Sequence, residues 1–272
     1  MIVDTHLHPL SPDETAYPRL PTSRFQGVNT ADDILKQMQH AGVDRVVGVQ
    51  FFGVYGNDNS YVADCVTAHP EAFAGVGCVD PLAPDAAEAL AAWVKRGIRG
   101  LRLFTPRDRP DLARWPDEPA VYPLYEAAIA LGTPVCLSMQ PAALEQLGTL
   151  LQRFPAMTVV LDHLANVSPG LEEAKRLMAL APHANLQLKF STQNFPNVDE
   201  RSVIAPVFMS QLVQAFGDVR LMWGSNYPVN KGSKAEPYRA LIDQARVLLR
   251  SVAPSEQDAI LGGTAARVFK LM

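Results

Sequence analysis

Eight short β-rich runs alternate with longer amphipathic ones along this chain, and that alternation restricts its fold more than any other feature. The runs are Ile2–His6, Arg45–Gln50, Phe73–Asp80, Ile98–Phe104, Thr133–Met139, Thr158–His163, Leu186–Ser191 and Arg220–Asn226. Strands separated by helices cannot join as tight hairpins; they pair in parallel, with each helix packed back on the sheet. Eight such units in 272 residues predict an α/β fold, one (β/α)8 TIM barrel spanning residues 1–272 as a single domain. A doubly wound open sheet is the rival, but no GxGxxG follows the first strand.

Local signals agree. Thr30-Ala31-Asp32-Asp33 reads as a capping box ahead of a helix, and Pro84-Asp85, Pro141, Ser168-Pro169-Gly170 and Pro254-Ser255 open further helices. Gly42, Gly97 and Gly132 each lie between a helical run and the next strand, where a left-handed residue ends a helix cheaply. Two connections, 9–28 and 105–120, exceed the usual loop length. Both follow a strand, so both are expected over the catalytic face of a barrel. Tyr17, Arg19 and Arg24 in the first, with Arg107, Arg109, Arg114 and Trp115 in the second, suit substrate contacts or a simple cover.

Charge narrows the partners. The net charge of −4, from 24 basic and 28 acidic residues without a basic run, argues against nucleic acid and leaves a small anionic substrate open. Cys65, Cys78 and Cys136 are widely spaced with no CxxC, as expected of reduced, buried thiols. The start, Met1-Ile2-Val3-Asp4, has no charged leader, and no apolar run is long enough to cross a bilayer. The expectation is a cytoplasmic protein without a membrane partner; assembly into a homo-oligomer stays open.

The chemistry-bearing residues gather at strand ends. His6 and His8 alternate in Asp4-Thr5-His6-Leu7-His8, so both side chains point to one face. Two converging imidazoles bind a metal ion or handle a proton. His163 ends the sixth run in phase with Val159 and Leu161, and is expected to point inward too. His40, His69 and His183 lie late in helical runs or in a turn and read as structural. In the fourth run Arg102 is a candidate for forking onto a substrate carboxylate, while Arg99 faces the other way. Lys189, in the seventh run, would bind an anion or form a paired structural lysine. Tyr17, Tyr55 and Tyr125 are candidate donors to substrate, and Ser225 lacks the GxSxG setting of a nucleophile.

These motifs together resemble a known family. DTHLH, GIRGLRLF, VVLDHLAN, LQLKFS and LMWGSNYP, with Tyr55-Gly56-Asn57-Asp58-Asn59 and HPEAFAGVGCVDP, are similar to amidohydrolase-related proteins. The branch they resemble contains 2-pyrone-4,6-dicarboxylate and sugar-lactone hydrolases. The resemblance implies a distorted barrel, hydrolysis of an ester-like or amide-like carbonyl, and substrate carboxylates bound by arginines at and after strand four. Arg102 matches the strand position, and Arg107 and Arg109 match through the loop. Members with one metal ion place a histidine after strand five and an aspartate after strand eight; this chain has Leu137-Ser138-Met139 and Asn226 there. Neither a thioether nor a carboxamide replaces those ligands well. The branch includes members that work without metal, so the expectation is no cofactor. Zinc or manganese on His6 and His8 is the alternative.

Asn226 also lacks the carboxylate that would take a proton from water. Either a histidine takes that proton, or Asn226 is a substitution that stops turnover, or the reaction is not hydrolysis. The expected function is opening of a small carboxylated lactone or related cyclic ester. In it His6, His8 and His163 activate water without a nearby acid, Asn226 orients it, and Arg102, Lys189, Arg107, Tyr55 and Tyr17 bind substrate. The alternatives are a metal-dependent decarboxylase of the same family and an inactive barrel that binds a small anion.

Overall fold

The computed structural model describes residues 1–104, 115–195, 198–228 and 237–271. Eight strands follow one another around a sheet in chain order, every neighbouring pair parallel. They are β1 (Val3–Leu7), β2 (Arg45–Val49), β3 (Phe73–Cys78), β4 (Ile98–Phe104), β5 (Val135–Ser138), β6 (Val159–Leu161), β7 (Leu186–Phe190) and β8 (Leu221–Trp223). The helices of the outer ring are α1 (Ala31–Ala41), α2 (Phe52–Tyr55), α3 (Ser60–Ala68), α4 (Ala86–Lys95), α5 (Tyr122–Leu131) and α6 (Leu144–Arg153). After them come α7 (Glu172–Met178), α8 (Ile204–Phe216), α9 (Tyr238–Leu249), α10 (Pro254–Asp258) and α11 (Thr264–Val268). This is the expected (β/α)8 barrel.

Its distortion lies at the seam. β8 and β1 share no continuous ladder; their tips are joined by a single parallel bridge, Leu7 to Tyr227. Around it Thr5 Oγ1 donates to the Trp223 carbonyl at 2.6 Å, the Asn226 N–H to the His6 carbonyl at 2.6 Å, and the His8 N–H to the Tyr227 carbonyl at 2.8 Å. Gly224 makes the close approach possible: a Cβ there would lie 2.5 Å from the Cβ of His6.

Alternation sorts the sheet into two layers. Val46, Leu101, Val135, Val159, Leu161, Leu188 and Trp223 pack outward against the helices. Val3, Val47, Val49, Val76, Cys136, Val160 and Met222 fill the barrel, closed below by Ala265, Val268 and Phe269. The helix ends are as expected. Thr30 and Asp33 form the reciprocal cap of α1, and Gly42 ends that helix at φ 70°. Cys65, Cys78 and Cys136 are free and buried. No helix among the described residues is long and apolar enough to cross a membrane.

Candidate active site

Strand one delivers its histidines by alternation, with one irregularity. The β1–β2 register slips between Asp4 and Leu7, so Val3 can fill the barrel while His6 and His8 also face its axis. The two rings meet edge to face with centroids 5.0 Å apart. His8 Nδ1 lies 2.8 Å from the carbonyl oxygen of Val49. A carbonyl only accepts, so Nδ1 carries the proton and Nε2 of the neutral ring keeps its lone pair. Asn226 favours the protonated form of His8 against the effect of burial, and Phe51 stacks on the ring at 4.6 Å.

Strand six works differently. Its inward phase is that of Val160, and the next inward residue is Asp162, a carboxylate that sequence reasoning passed over. His163, in phase with the outward Val159 and Leu161, would face the helices if the strand continued. Instead the chain turns left-handed at His163, Leu164, Ala165 and Asn166, with φ of 52°, 49°, 52° and 60°. Such a backbone costs roughly 1–2 kcal/mol for each residue other than glycine or asparagine. The turn folds His163 back until its ring centroid lies 4.5 Å from that of His6. The three histidines do meet, but by a route opposite to the expected one.

Asp162 overturns the expectation of imidazoles without an acid. Its Oδ2 accepts from Arg102 Nε at 2.9 Å, and its Oδ1 lies 2.9 Å from Lys189 Nζ and 3.8 Å from His6 Nδ1. The lysine contact is an ion pair whose angles fall short of a hydrogen bond. Lys189 and Asp162 are sealed from solvent and Arg102 nearly so. Burial alone would raise the Asp162 pKa, but Lys189, His6 and Arg102 hold the carboxyl well below its usual range. Burial, assisted by Arg102, depresses His8 to about 3; burial, with Arg102 and Lys189, does the same to His163. His6 is also held well below its ordinary value, by burial and then by Arg102. The resting cluster thus holds three neutral imidazoles, one carboxylate and two cations, an excess of one positive charge among the described residues.

The other candidates fall elsewhere. Lys189 lies beneath the histidines, 5.6 Å above the Phe269 ring, as the partner of Asp162 rather than a group open to the mouth. Tyr55 accepts the Ser11 N–H at 2.9 Å and packs with Leu10 and Val54. Tyr17 donates to Asp64 at 2.8 Å. Arg19 binds the carbonyls of Ser11, Phe25 and Gly27. All three tie down the loop after β1 instead of lining the histidines. Tyr125 donates to the Pro116 carbonyl at 3.0 Å. Arg107, Arg109 and Arg114 lie outside the described residues. Arg102 does reach the site, its guanidinium 4.5 Å over the Phe104 ring. Asn226, left-handed at φ 59°, also donates from Nδ2 to Gln193 Oε1 at 3.0 Å.

Among the described residues, His6, Asp162 and His163 offer ligand atoms within 4.8 Å of one another, a set that includes one of the two histidines expected for a metal. The set fits a divalent cation poorly. Both oxygens of its one carboxylate already face buried cations, and a third positive centre would add repulsion where water cannot screen it.

The amidohydrolase family profile matches residues 3–271. The chain belongs to that family. It is a hydrolase, similar in sequence to a curated lactonase. This amidohydrolase is 27% identical over 252 residues to the L-fucono-1,5-lactonase of Burkholderia ambifaria, covering 88% of this chain and 84% of that one. A probable 2-pyrone-4,6-dicarboxylic acid hydrolase from Acinetobacter baumannii, solved with citric acid bound, shares the fold at a TM-score of 0.80. Its identity is 20%, and 99% of each chain is covered. An amidohydrolase from Burkholderia multivorans with bound zinc superposes at 0.76, with 22% identity and full coverage of both chains.

Proposed function

We propose that this enzyme opens a small lactone bearing a carboxylate, with water activated by the histidines and no metal ion. The observation that carries the reading is Asp162 held on both oxygens by Arg102 and Lys189 beside neutral imidazoles. Two buried cations on one carboxylate leave a positive charge for an anion to neutralise. The hydrogen bond from Arg102 to Asp162 uses Nε, and the Nη groups of a guanidinium fork readily onto a substrate carboxylate. The lactone bond is supported by the relatives; the carboxylate is argued from charge.

Water then adds to the lactone carbonyl. Its proton passes to an imidazole lone pair, on His8 Nε2 or His163, and the carbonyl oxygen becomes an alkoxide. His6 is buried with neither ring nitrogen hydrogen-bonded, an arrangement costly unless a ligand supplies the partner. It is the group assigned to meet the lactone oxygen, where the positive excess stabilises the developing charge. Collapse breaks the ring C–O bond, the imidazolium returns its proton to the leaving alkoxide, and one water has become part of a hydroxy acid. Asn226 suits this cycle because its carboxamide oxygen can accept from protonated His8, which favours the charged ring as the proton arrives. The decarboxylase reading requires a metal on these histidines, against the charge balance of the site.

The test is a lactone panel offered to metal-stripped protein. The panel pairs each carboxylated lactone with its uncharged counterpart and includes L-fucono-1,5-lactone. A charged pair at Arg102 is worth about 1.5–3 kcal/mol, so the carboxylated member should be favoured about 10- to 150-fold in kcat/KM. Equal rates, or preference for the sugar lactone, refute the carboxylate assignment. No opening of any lactone, either by stripped protein or by the same protein resupplied with zinc or manganese, refutes the reaction.

A further inference from the structure

Two side chains of the segment that follows β7 hold His163. Asn194 donates from Nδ2 to the His163 carbonyl at 2.6 Å and accepts the Ser191 N–H on Oδ1 at 3.1 Å. Ser191 Oγ lies 2.8 Å from His163 Nδ1. One contact grips the main chain of the left-handed turn and the other grips the ring. Ser191 is fully buried and Asn194 nearly so, so water does not compete well with either. A strained backbone persists only where its surroundings over-determine it. Asn194 supplies that restraint at the first of the four left-handed residues, and the turn closes on itself through the Val167 N–H to the Leu164 carbonyl.

The ring contact has a further consequence. A neutral imidazole carries one proton, and the hydrogen bond at one nitrogen decides which nitrogen is left as a base. A hydroxyl can donate or accept, so geometry alone allows both tautomers at Ser191. For Nε2 to accept a proton from water, Nδ1 must hold the ring proton and donate it to Ser191 Oγ.

We infer that Ser191 and Asn194 are positioning residues for His163: Asn194 holds the turn that brings the ring in, and Ser191 keeps its proton on Nδ1. The inference rests on His163 belonging to the water-activating set.

The experiment combines steady-state kinetics with 15N NMR of histidine-labelled full-length protein, the His163 signals being assigned with His163→Gln. Wild type should show Nδ1–H and a bare Nε2. Ser191→Ala should move the proton to Nε2 and lower kcat about 100-fold, the low end for loss of a general base, with KM within about threefold. Ser191→Thr, which keeps the hydroxyl, should restore the wild-type tautomer. Asn194→Asp keeps the acceptor for Ser191 and loses the donor to His163; it should shift the His163 signals and lower kcat about 10-fold. That variant decides the matter if Ser191→Ala does not fold. A wild-type ring protonated at Nε2, or variants with unchanged tautomer and kcat, overturns the inference. Full activity of His163→Gln would instead refute the role of His163, while the NMR still reports whether the two residues aim it.

Discussion

Strands one and six each bring histidine to the barrel mouth, at very different cost. Strand one does so almost for free: alternation and one register slip place His6 and His8 on the axis. Strand six spends its inward position on Asp162 and then bends left-handed to recover His163. The first tip is a pattern and the second a construction, held together by ion pairs and by hydrogen bonds from the segment after β7. Sites of the second kind fail by losing a support rather than a catalytic group.

The largest expected effect follows. Asp162→Asn leaves Arg102 and Lys189 buried without their anion, and breaking a buried pair costs about 3–5 kcal/mol. Denaturant unfolding measures it. A loss under about 1 kcal/mol would mean that Asp162 is not the support of the strand-six tip.

Acid separates the tips by their chemistry. His8 and His163 sit near 3 when folded, against about 6.5 unfolded, and His6 is lowered too. Between those values the unfolded chain binds more protons, so stability rises with pH in this window and is lost as pH falls from about 6.5 toward about 3. Each histidine contributes up to about 1.4 kcal/mol per pH unit. Asp162 is also lowered, so its contribution is present above its unfolded value near 3.9 and lost as pH falls through the depressed folded pKa. Titrating stability in His8→Asn should remove about a third of the slope between pH 5 and 6 and leave the Asp162 contribution; an unchanged slope contradicts the neutral-histidine assignment.

The smallest expected effect isolates backbone strain. Ala165, at φ 52°, and Ala128, in the interior of α5, are equally buried. Glycine in a helix costs about 1 kcal/mol relative to alanine, whereas at a left-handed position it relieves strain. Ala165→Gly should therefore be less destabilising than Ala128→Gly by about 1 kcal/mol or more in thermal unfolding. Equal losses would show the turn to be unstrained.

The same contrast explains what could be read from sequence. Ile98–Phe104 runs as expected because its alternation continues to the strand end. The expected sixth and eighth runs, Thr158–His163 and Arg220–Asn226, overshoot, since β6 and β8 hold three residues each before the chain turns. Turns of that kind depend on partners distant in sequence, such as Asn194 for His163 and Asp4 for Ser225. Asp162 is legible by alternation, two residues after the inward Val160, whereas the position of His163 depends on the turn that follows. Tyr17 and Arg19, in the loop after β1, and Tyr55, at the end of α2, are of types that often contact substrate. Only their partners reveal that they staple the loop.

The most direct measurement is lactone turnover by protein stripped with chelator, before and after one equivalent of zinc or manganese. If the cations already on Asp162 do the electrostatic work, the stripped protein turns over fully and added metal leaves the rate unchanged or lowers it. Activity that vanishes on stripping and returns in proportion to bound metal would contradict the account.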